Sequence, residues 1–288
     1  MTGSMSRFLP ALRVNSWGGF GSQLFTAHMI LRLQQRYPSR RIKVVIHTSG
    51  VTRRIPEFNF EKLGVKMIQV DDFKKAVMAN QVFGSSKFSI LRLKEVAKRC
   101  LWLFLIWTRF LQMGNTEQTF NSMRWWTLSF RGHYSKLKFD ESALGSLHKI
   151  IFDAHYMNLK HKYFLVIHYR LGDLLNLAEK EPIDPERVGK LVLYFRENFK
   201  QAIILTDSSL IDLSNYLKNS KELKFLNTAN YNPVETLKLC ISADEFVGTN
   251  SKLSIWAMAF RAYIYQKRSY LPEEIREALI GNLRTAWY

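Results

Sequence analysis

Three segments carry side chains whose chemistry is more specific than packing. Gly18-Gly19-Phe20-Gly21-Ser22-Gln23 joins a glycine turn to the start of an apolar-periodic stretch. Glycines let a backbone approach a ligand closely, and the N–H groups and positive dipole end of a following helix suit an anion or a sugar. On this reading Gly19, Gly21, Ser22 and Gln23 contact a ligand, and a tight structural turn is the plainer alternative. His168-Tyr169-Arg170-Leu171-Gly172-Asp173 follows a run of β-branched and aromatic residues. Strand alternation places His168 and Arg170 on one face, Gly172 permits a sharp turn, and Asp173 can brace that turn or Arg170. An arginine at the carboxyl edge of a parallel sheet suits a phosphate, because its fork donates two parallel hydrogen bonds. A buried Arg170–Asp173 ion pair beside a packed His168 would use the same residues. The third feature is a pair of strand ends, Thr206-Asp207-Ser208-Ser209 and Gly248-Thr249-Asn250-Ser251. Asp207, Ser208, Asn250, Ser251 and Ser254 are ligand candidates there, although N-capping alone would account for either end in isolation.

These residues act together only if the fold brings them to one edge. Leu12 to Trp17 reads as a strand, and Ser22 to about Gln35 as a helix after the glycine turn. Arg41 to His47 is a second strand and Val65 to Val70 a weaker third. From about Asp71 to Asp140 the strand signal fades, which predicts a helical insertion, Leu91 to Met113, and loops. Strands return at Tyr163–Tyr169, Ala202–Thr206, Leu223–Leu226 and Glu245–Gly248, separated by helical stretches at 184–199, 209–217 and 233–241 and followed by one running to about Tyr263. Strands alternating with helices define an α/β protein with parallel βαβ units. Two Rossmann-like domains facing a central cleft are expected, residues 1–150 and 151–288.

The glycine turn is not a GxGxxG fingerprint, and His47-Thr48 stand where a dinucleotide site would place an acidic residue, so that class of ligand is unsupported. There is no DxD pair to hold a divalent ion, and Cys100 and Cys240 stand apart without a CxxC or Cys/His grouping. No metal or other cofactor is therefore expected. The cysteines read as packing residues of a reducing, cytoplasmic compartment.

In their order and spacing, GGFGSQLF, HYRLGD and GTNSKLSIWA resemble the GGLGNQLF, HIRRGD and ANSTFSWWA segments of glycosyltransferase family 11, the bacterial α-1,2-fucosyltransferases. Arg131-Gly132-His133-Tyr134-Ser135 is similar to that family's GYFQS-like segment, and the resemblance runs from about Arg13 to Phe260. HxRxGD is shared among several fucosyltransferase families, whereas the ordered combination is more specific. Ser22 stands where asparagine is usual, Leu171 replaces a second arginine, and Ile255 replaces the first of two tryptophans. The resemblance implies a GT-B fold and metal-independent, inverting transfer from GDP-fucose to a glycan hydroxyl, α-1,2 to galactose in the family's usual reaction. O-antigen, capsule or other surface polysaccharide assembly is the implied setting, and a related GDP-6-deoxy sugar such as colitose is the alternative donor. Under this reading Arg170 stabilises the leaving diphosphate, with His168 and Asp173 beside it. Gly19, Gly21, Ser22, Gln23, Asp207, Ser208, Asn250, Ser251 and Ser254 bind the donor. Asp173, His133 and His28 remain open as the base for the acceptor hydroxyl.

The 288 residues carry a net charge of +18 with 47% hydrophobic content, which argues against a largely disordered chain. Residues 1–150 hold 24 basic and 8 acidic side chains, so the excess belongs almost wholly to the first half. A basic nucleic-acid-binding protein would fit the charge and Trp125-Trp126 but would leave HYRLGD unexplained. A noncatalytic sugar-binding homologue is a further alternative. The run Cys100 to Trp107 is too short for the roughly 20 residues of a membrane span, and the opening MTGSMS lacks the features of a secretory signal. Basic residues around Leu91 to Met113 favour an anionic membrane surface and a lipid-linked acceptor, with peripheral attachment at the inner face of the cytoplasmic membrane. The alternative there is a core helix with a solvated basic end.

Overall fold

The computed structural model describes residues 9–49, 53–72, 90–152, 164–170, 183–196, 201–207, 223–227, 232–278 and 285–287. They fall into two compact units, Met1–Lys138 and Phe139–Tyr288.

The first unit runs β1 (Leu12–Ser16), α1 (Phe20–Arg36), β2 (Ile42–His47), β3 (Lys66–Val70), α2 (Ile90–Trp107), β4 (Leu111–Met113), α3 (Glu117–Asn121) and β5 (Ser129–Arg131). Its five strands are all parallel, in the order β3-β2-β1-β5-β4. Leu12, Val14, Ile42, Val44 and Ile46 are buried in the sheet, and α1 buries Leu24, Phe25, Ala27, Met29, Ile30 and Leu33. The apolar periodicity of that helix is thus its buried face.

Within 71–140 the predicted helix is present but ends at Trp107; β4 takes the last residues assigned to it, and β5 stands where a loop was expected. β4 and β5 span only three residues each, too few for alternation to register. Pairing rather than composition fixes them: β5 lies between β1 and β4, and Gly132 beyond it allows the Gly114 carbonyl so close that a Cβ would stand 2.1 Å from its oxygen.

The second unit runs α4 (Glu141–Ile151), β6 (Phe164–Tyr169), α5 (Pro185–Arg196), β7 (Gln201–Thr206), β8 (Leu223–Asn227), α6 (Pro233–Ser242), β9 (Glu245–Gly248), α7 (Lys252–Tyr263), β10 (Ser269–Leu271) and β11 (Thr285–Trp287). Its six parallel strands follow the order β11-β10-β9-β6-β7-β8. Every residue of β6 is buried, as its unbroken apolar run requires of a central parallel strand. Leu165, Ile167 and Tyr169 pack on Ile204, Val247, Ile183 and Val188. The sequence boundary at 150 counts α4 with the first half, whereas the contacts group it with the second unit. Its His148 lies edge-on to Phe260 of α7 and meets the Tyr265 hydroxyl at 2.7 Å. The predicted helix at 209–217 lies outside the described residues.

The two sheets share one topological feature. The first strand of each is central and the chain leaves it on both sides, β2 and β5 flanking β1, β7 and β9 flanking β6. Such a switch point, at the carboxyl ends, is where open α/β sheets bind ligands.

Candidate functional site

The switch point of the second sheet brings together Asp207, Asn250, Ser251 and Ser254 of the predicted donor residues; Gly19, Gly21, Ser22 and Gln23 lie in the first unit. Register pairs His168 with Gly248 on one side, and Tyr169 with Thr206 on the other, so three predicted segments end side by side. Thr249 ties two of them: its hydroxyl accepts from the Arg170 backbone N–H at 3.2 Å and donates to the His168 carbonyl at 3.1 Å. Beyond this link the Arg170 side chain, about a third exposed, lies 3.8 Å from the Asp207 carboxylate. Asp207, from the neighbouring strand end, thus stands near the guanidinium where the sequence offered Asp173. Asp173 and Ser208 lie outside the described residues.

His168 is 5% exposed, its Nδ1 meeting Ser254 Oγ at 2.8 Å and Ser251 Oγ at 3.3 Å. Ser251 is the N-cap of α7 and accepts from the Ser254 N–H at 3.0 Å. Burial, reinforced by the positive Arg170, pushes His168 down to about 4, so its neutral form prevails near pH 7. The serines contact this ring because Gly248 has no Cβ; one there would lie 2.7 Å from Ser254 Cβ and 2.7 Å from Leu271 Cδ2. Asn250 sits, partly buried, between the Thr249 link and the Ser251 cap. Ile255 and Trp256, at the family's paired-tryptophan position, are both buried, Trp256 edge-on to Phe139 at 5.2 Å. They are core residues, so the Ile255 departure falls on packing.

The arrangement provides a cation, a carboxylate, hydroxyls and a helix N-terminus with no acidic residue in its first turn. That is a set suited to a phosphate-bearing ligand.

The glycine turn of the first unit is built differently. Gly18 has φ +85°, a left-handed conformation that favours glycine, and a Cβ there would meet Ser22 Oγ at 2.7 Å. Gly19 is the N-cap of α1, Gly21 follows in its first turn, and Ser22 is buried. Gln23 is fully buried and works within the protein. Its Nε2 donates to the carbonyls of Gly18 (3.2 Å) and Ile55 (3.0 Å), and its Oε1 accepts from the N–H groups of Glu57 and Phe58 at 2.9 Å each. All four of its hydrogen-bonding positions are engaged. The strand of chain it holds brings the Glu57 carboxylate onto the Phe20 N–H at the start of α1.

Beside this turn lies a cluster of which the sequence named only His133 as a candidate. His47, at the end of β2, meets Asp72 through Nδ1 (2.6 Å) and Asn15 Oδ1 through Nε2 (2.9 Å). Asn15 Nδ2 donates to Ser129 Oγ and the Phe130 carbonyl, which fixes its amide so that Nε2 is the donor to Oδ1. Burial raises Asp72, but hydrogen bonds from His47 and Ser49 outweigh it and hold the carboxyl below its ordinary range. Trp17 stacks on His47 at 4.3 Å, with Arg131 5.2 Å over its ring and the exposed His133 edge-on at 6.4 Å. The available signal was His47 at a strand end with Asp71-Asp72 at the next. His28, the other basic candidate, is buried within α1.

Among the described residues no group of three or more His, Cys, Asp or Glu side chains is placed to hold a metal ion. No protein-family model and no curated protein matches the chain. Among solved structures it is similar to a glycosyl transferase family 9 protein from Veillonella parvula, at 9% identity and a TM-score of 0.51, covering 100% of this chain and 88% of that one. It is also similar to the E. coli heptosyltransferase WaaC with ADP, at 11% identity and a TM-score of 0.50, covering 96% of this chain and 92% of the other. At these identities the likeness establishes the fold: α/β with two parallel-sheet units, of the GT-B type expected from sequence.

Proposed function

We propose that the chain is an inverting, metal-independent glycosyltransferase that transfers fucose from GDP-fucose to a glycan hydroxyl, α-1,2 to galactose, in surface polysaccharide assembly. The observation that carries this reading is the convergence of Arg170, Asp207 and the Thr249–Ser254 segment at the switch point of the second sheet. Its motif resemblance to fucosyltransferases and the GT-B fold point the same way.

In this reading Arg170 neutralises the charge that develops on the diphosphate as the bond to the sugar C1 breaks, with the start of α7 adding its dipole. Thr249 fixes the Arg170 backbone, and His168, neutral and held by two serines, positions that helix start against the strand. Asn250, Ser251 and Ser254 contact donor phosphate or sugar. The first unit binds the acceptor, with the Trp17, His47, Arg131 and His133 cluster as its aromatic and hydrogen-bonding surface.

A thermal-shift panel of GDP, UDP, dTDP and CMP, with and without EDTA, tests the donor. Stabilisation by GDP that survives EDTA is expected. A preference for UDP, or dependence on a divalent ion, overturns the assignment.

A further inference from the structure

The second half of α2 conflicts with the rule that a helix apolar all round is buried. Its 18 residues divide sharply by chemistry. Arg92, Lys94, Glu95, Lys98 and Arg99 lie in its first ten positions, while Cys100 to Trp107 carries no charge. Every residue from Lys98 to Phe104 is exposed, nearly two full turns; Trp102, under the Arg131 guanidinium, is the least so, and with the half-buried Leu105 and Ile106 it marks one narrow face toward the protein, leaving the rest of the helix surface open. Leu103 is 66% and Trp107 79% exposed, among the largest values for apolar side chains among the described residues. The surface continues past the helix: Phe104 lies 6.2 Å from Trp107, the next residue's carbonyl, Thr108, accepts from Trp126, and Trp126 lies edge-on to the exposed Trp125.

We infer that this face is a membrane-docking surface, whose C-terminal turns enter the headgroup and upper acyl region of an anionic bilayer. The apolar end spans eight residues, about 12 Å at 1.5 Å per residue. That is close to the roughly 5–10 Å that interfacial helices reach below the headgroups and well short of a span. No described helix is long and apolar enough to cross a membrane. Lys98 and Arg99 stand immediately before the apolar end, at the level where anionic phosphates would lie. Exposed tryptophans and phenylalanine are the side chains that favour such a boundary. The charge supports a lipid surface over a second copy of the chain: the first 150 residues carry a net +16, which would repel a like-charged face. The inference rests on the exposure and charge of this helix and stands independently of the proposed reaction.

Co-sedimentation of the whole chain with vesicles of phosphatidylcholine alone, and of phosphatidylcholine with phosphatidylglycerol in equal parts, tests it. Binding to the anionic vesicles is expected, weakened by salt and accompanied by a blue shift of tryptophan emission. Replacing Phe104 and Trp107 together by Ser should weaken partitioning at least about tenfold, from the apolar area withheld. Lys98→Glu with Arg99→Glu should weaken it by roughly thirtyfold or more. All four side chains are exposed, so melting temperatures should not change, and the charge variant carries the test if the apolar variant fails to fold. Absence of binding to anionic vesicles, or binding indifferent to the charge variant, overturns the inference. So does a dimer by analytical ultracentrifugation that the apolar variant abolishes, with no vesicle binding by wild type.

Discussion

Gly248 is the residue through which the second unit's site can be tested most sharply. Its backbone is not in the left-handed region, so alanine there adds no backbone strain and the cost comes from crowding alone. The new Cβ would meet Leu271 Cδ2 at 2.7 Å, Ser254 Cβ at 2.7 Å and Ser254 Oγ at 2.9 Å. Leu271 can rotate, but Ser254 Cβ is anchored to the first turn of α7. Restoring ordinary contact at 3.4 Å requires that turn to move by about 0.7 Å. A shift of that size is enough to carry the 2.8 Å contact between Ser254 and His168 to the limit of a hydrogen bond. Overpacking costs about 1–3 kcal/mol and a lost neutral hydrogen bond about 1 kcal/mol more. For a unit of this size that lowers the melting temperature by roughly 5–15 °C. Thermal unfolding of Gly248→Ala with and without GDP should therefore show a lower midpoint and a smaller nucleotide-induced shift. Gly145→Ala is the matched control: it lies within α4 with nothing within 4 Å of the added Cβ, and should stabilise by about 0.5–1 kcal/mol. If Gly248→Ala melts like wild type and keeps the full GDP shift, the packing of α7 on the strand end does not shape the site.

Arg170→Ala should lower transfer turnover about 100- to 1,000-fold with an unchanged melting curve, and equal rates would remove Arg170 from the mechanism. Gln23→Leu leaves the buried Phe58 N–H and the part-buried Glu57 N–H, Gly18 carbonyl and Ile55 carbonyl without this partner, so a loss of about 2–4 kcal/mol in chemical denaturation is expected; a stable variant would show that the 55–58 segment is held by other contacts. His168 binds its proton less readily in the folded state, about 4 against an ordinary 6.5, so the unfolded chain takes up more protons between those values. Stability should fall as pH drops from about 6.5 to about 4, by about 3 kcal/mol from this group, and His168→Gln should flatten that slope. Asp72 has the same sign at lower pH: its contribution is present above its unfolded value and lost as pH falls through its depressed folded value, so acid titration should show the two losses in separate windows.

The long parallel elements were legible because burial on both faces leaves an unbroken apolar run. Tyr163–Tyr169 is observed as Phe164–Tyr169, and Glu245–Gly248 with the same bounds. Glycine and proline punctuation placed α1 and α6 equally well, the latter starting at Pro233 behind an Asn232–Glu235 capping box. β4 and β5 could not be read, because three-residue strands take their identity from neighbours distant in sequence. The site shows the same division. Arg170, Asp207 and Ser251 were identifiable as polar residues at strand ends, and parallel register brought them together. Thr249 was visible, but its double hydrogen bond to two backbones depends on β6 and β9 being adjacent, which only the sheet order supplies. The Asp72–His47–Asn15 chain crosses three strands and has no local motif.

The two glycine-containing strand ends look alike in sequence, since each precedes a helix that begins near a small residue, yet their electrostatics differ. At α1 the first N–H group is met by Glu57, a carboxylate that Gln23 places there by binding the Glu57 and Phe58 N–H groups. A phosphate at that end would have to displace the carboxylate or sit beside it, against like charge. At α7 the cap is the neutral Ser251, the first turn has no acidic residue, and Arg170 stands on the adjacent strand end. Dipole and side-chain charge thus favour an anion at α7, whereas at α1 the dipole is already satisfied by the protein's own acid. This is the physical reason for proposing that the second unit holds the donor phosphate although residues 1–150 carry nearly all of the positive charge: in that proposal local geometry at a strand end positions a diphosphate, while a diffuse +16 acts at the range of a surface.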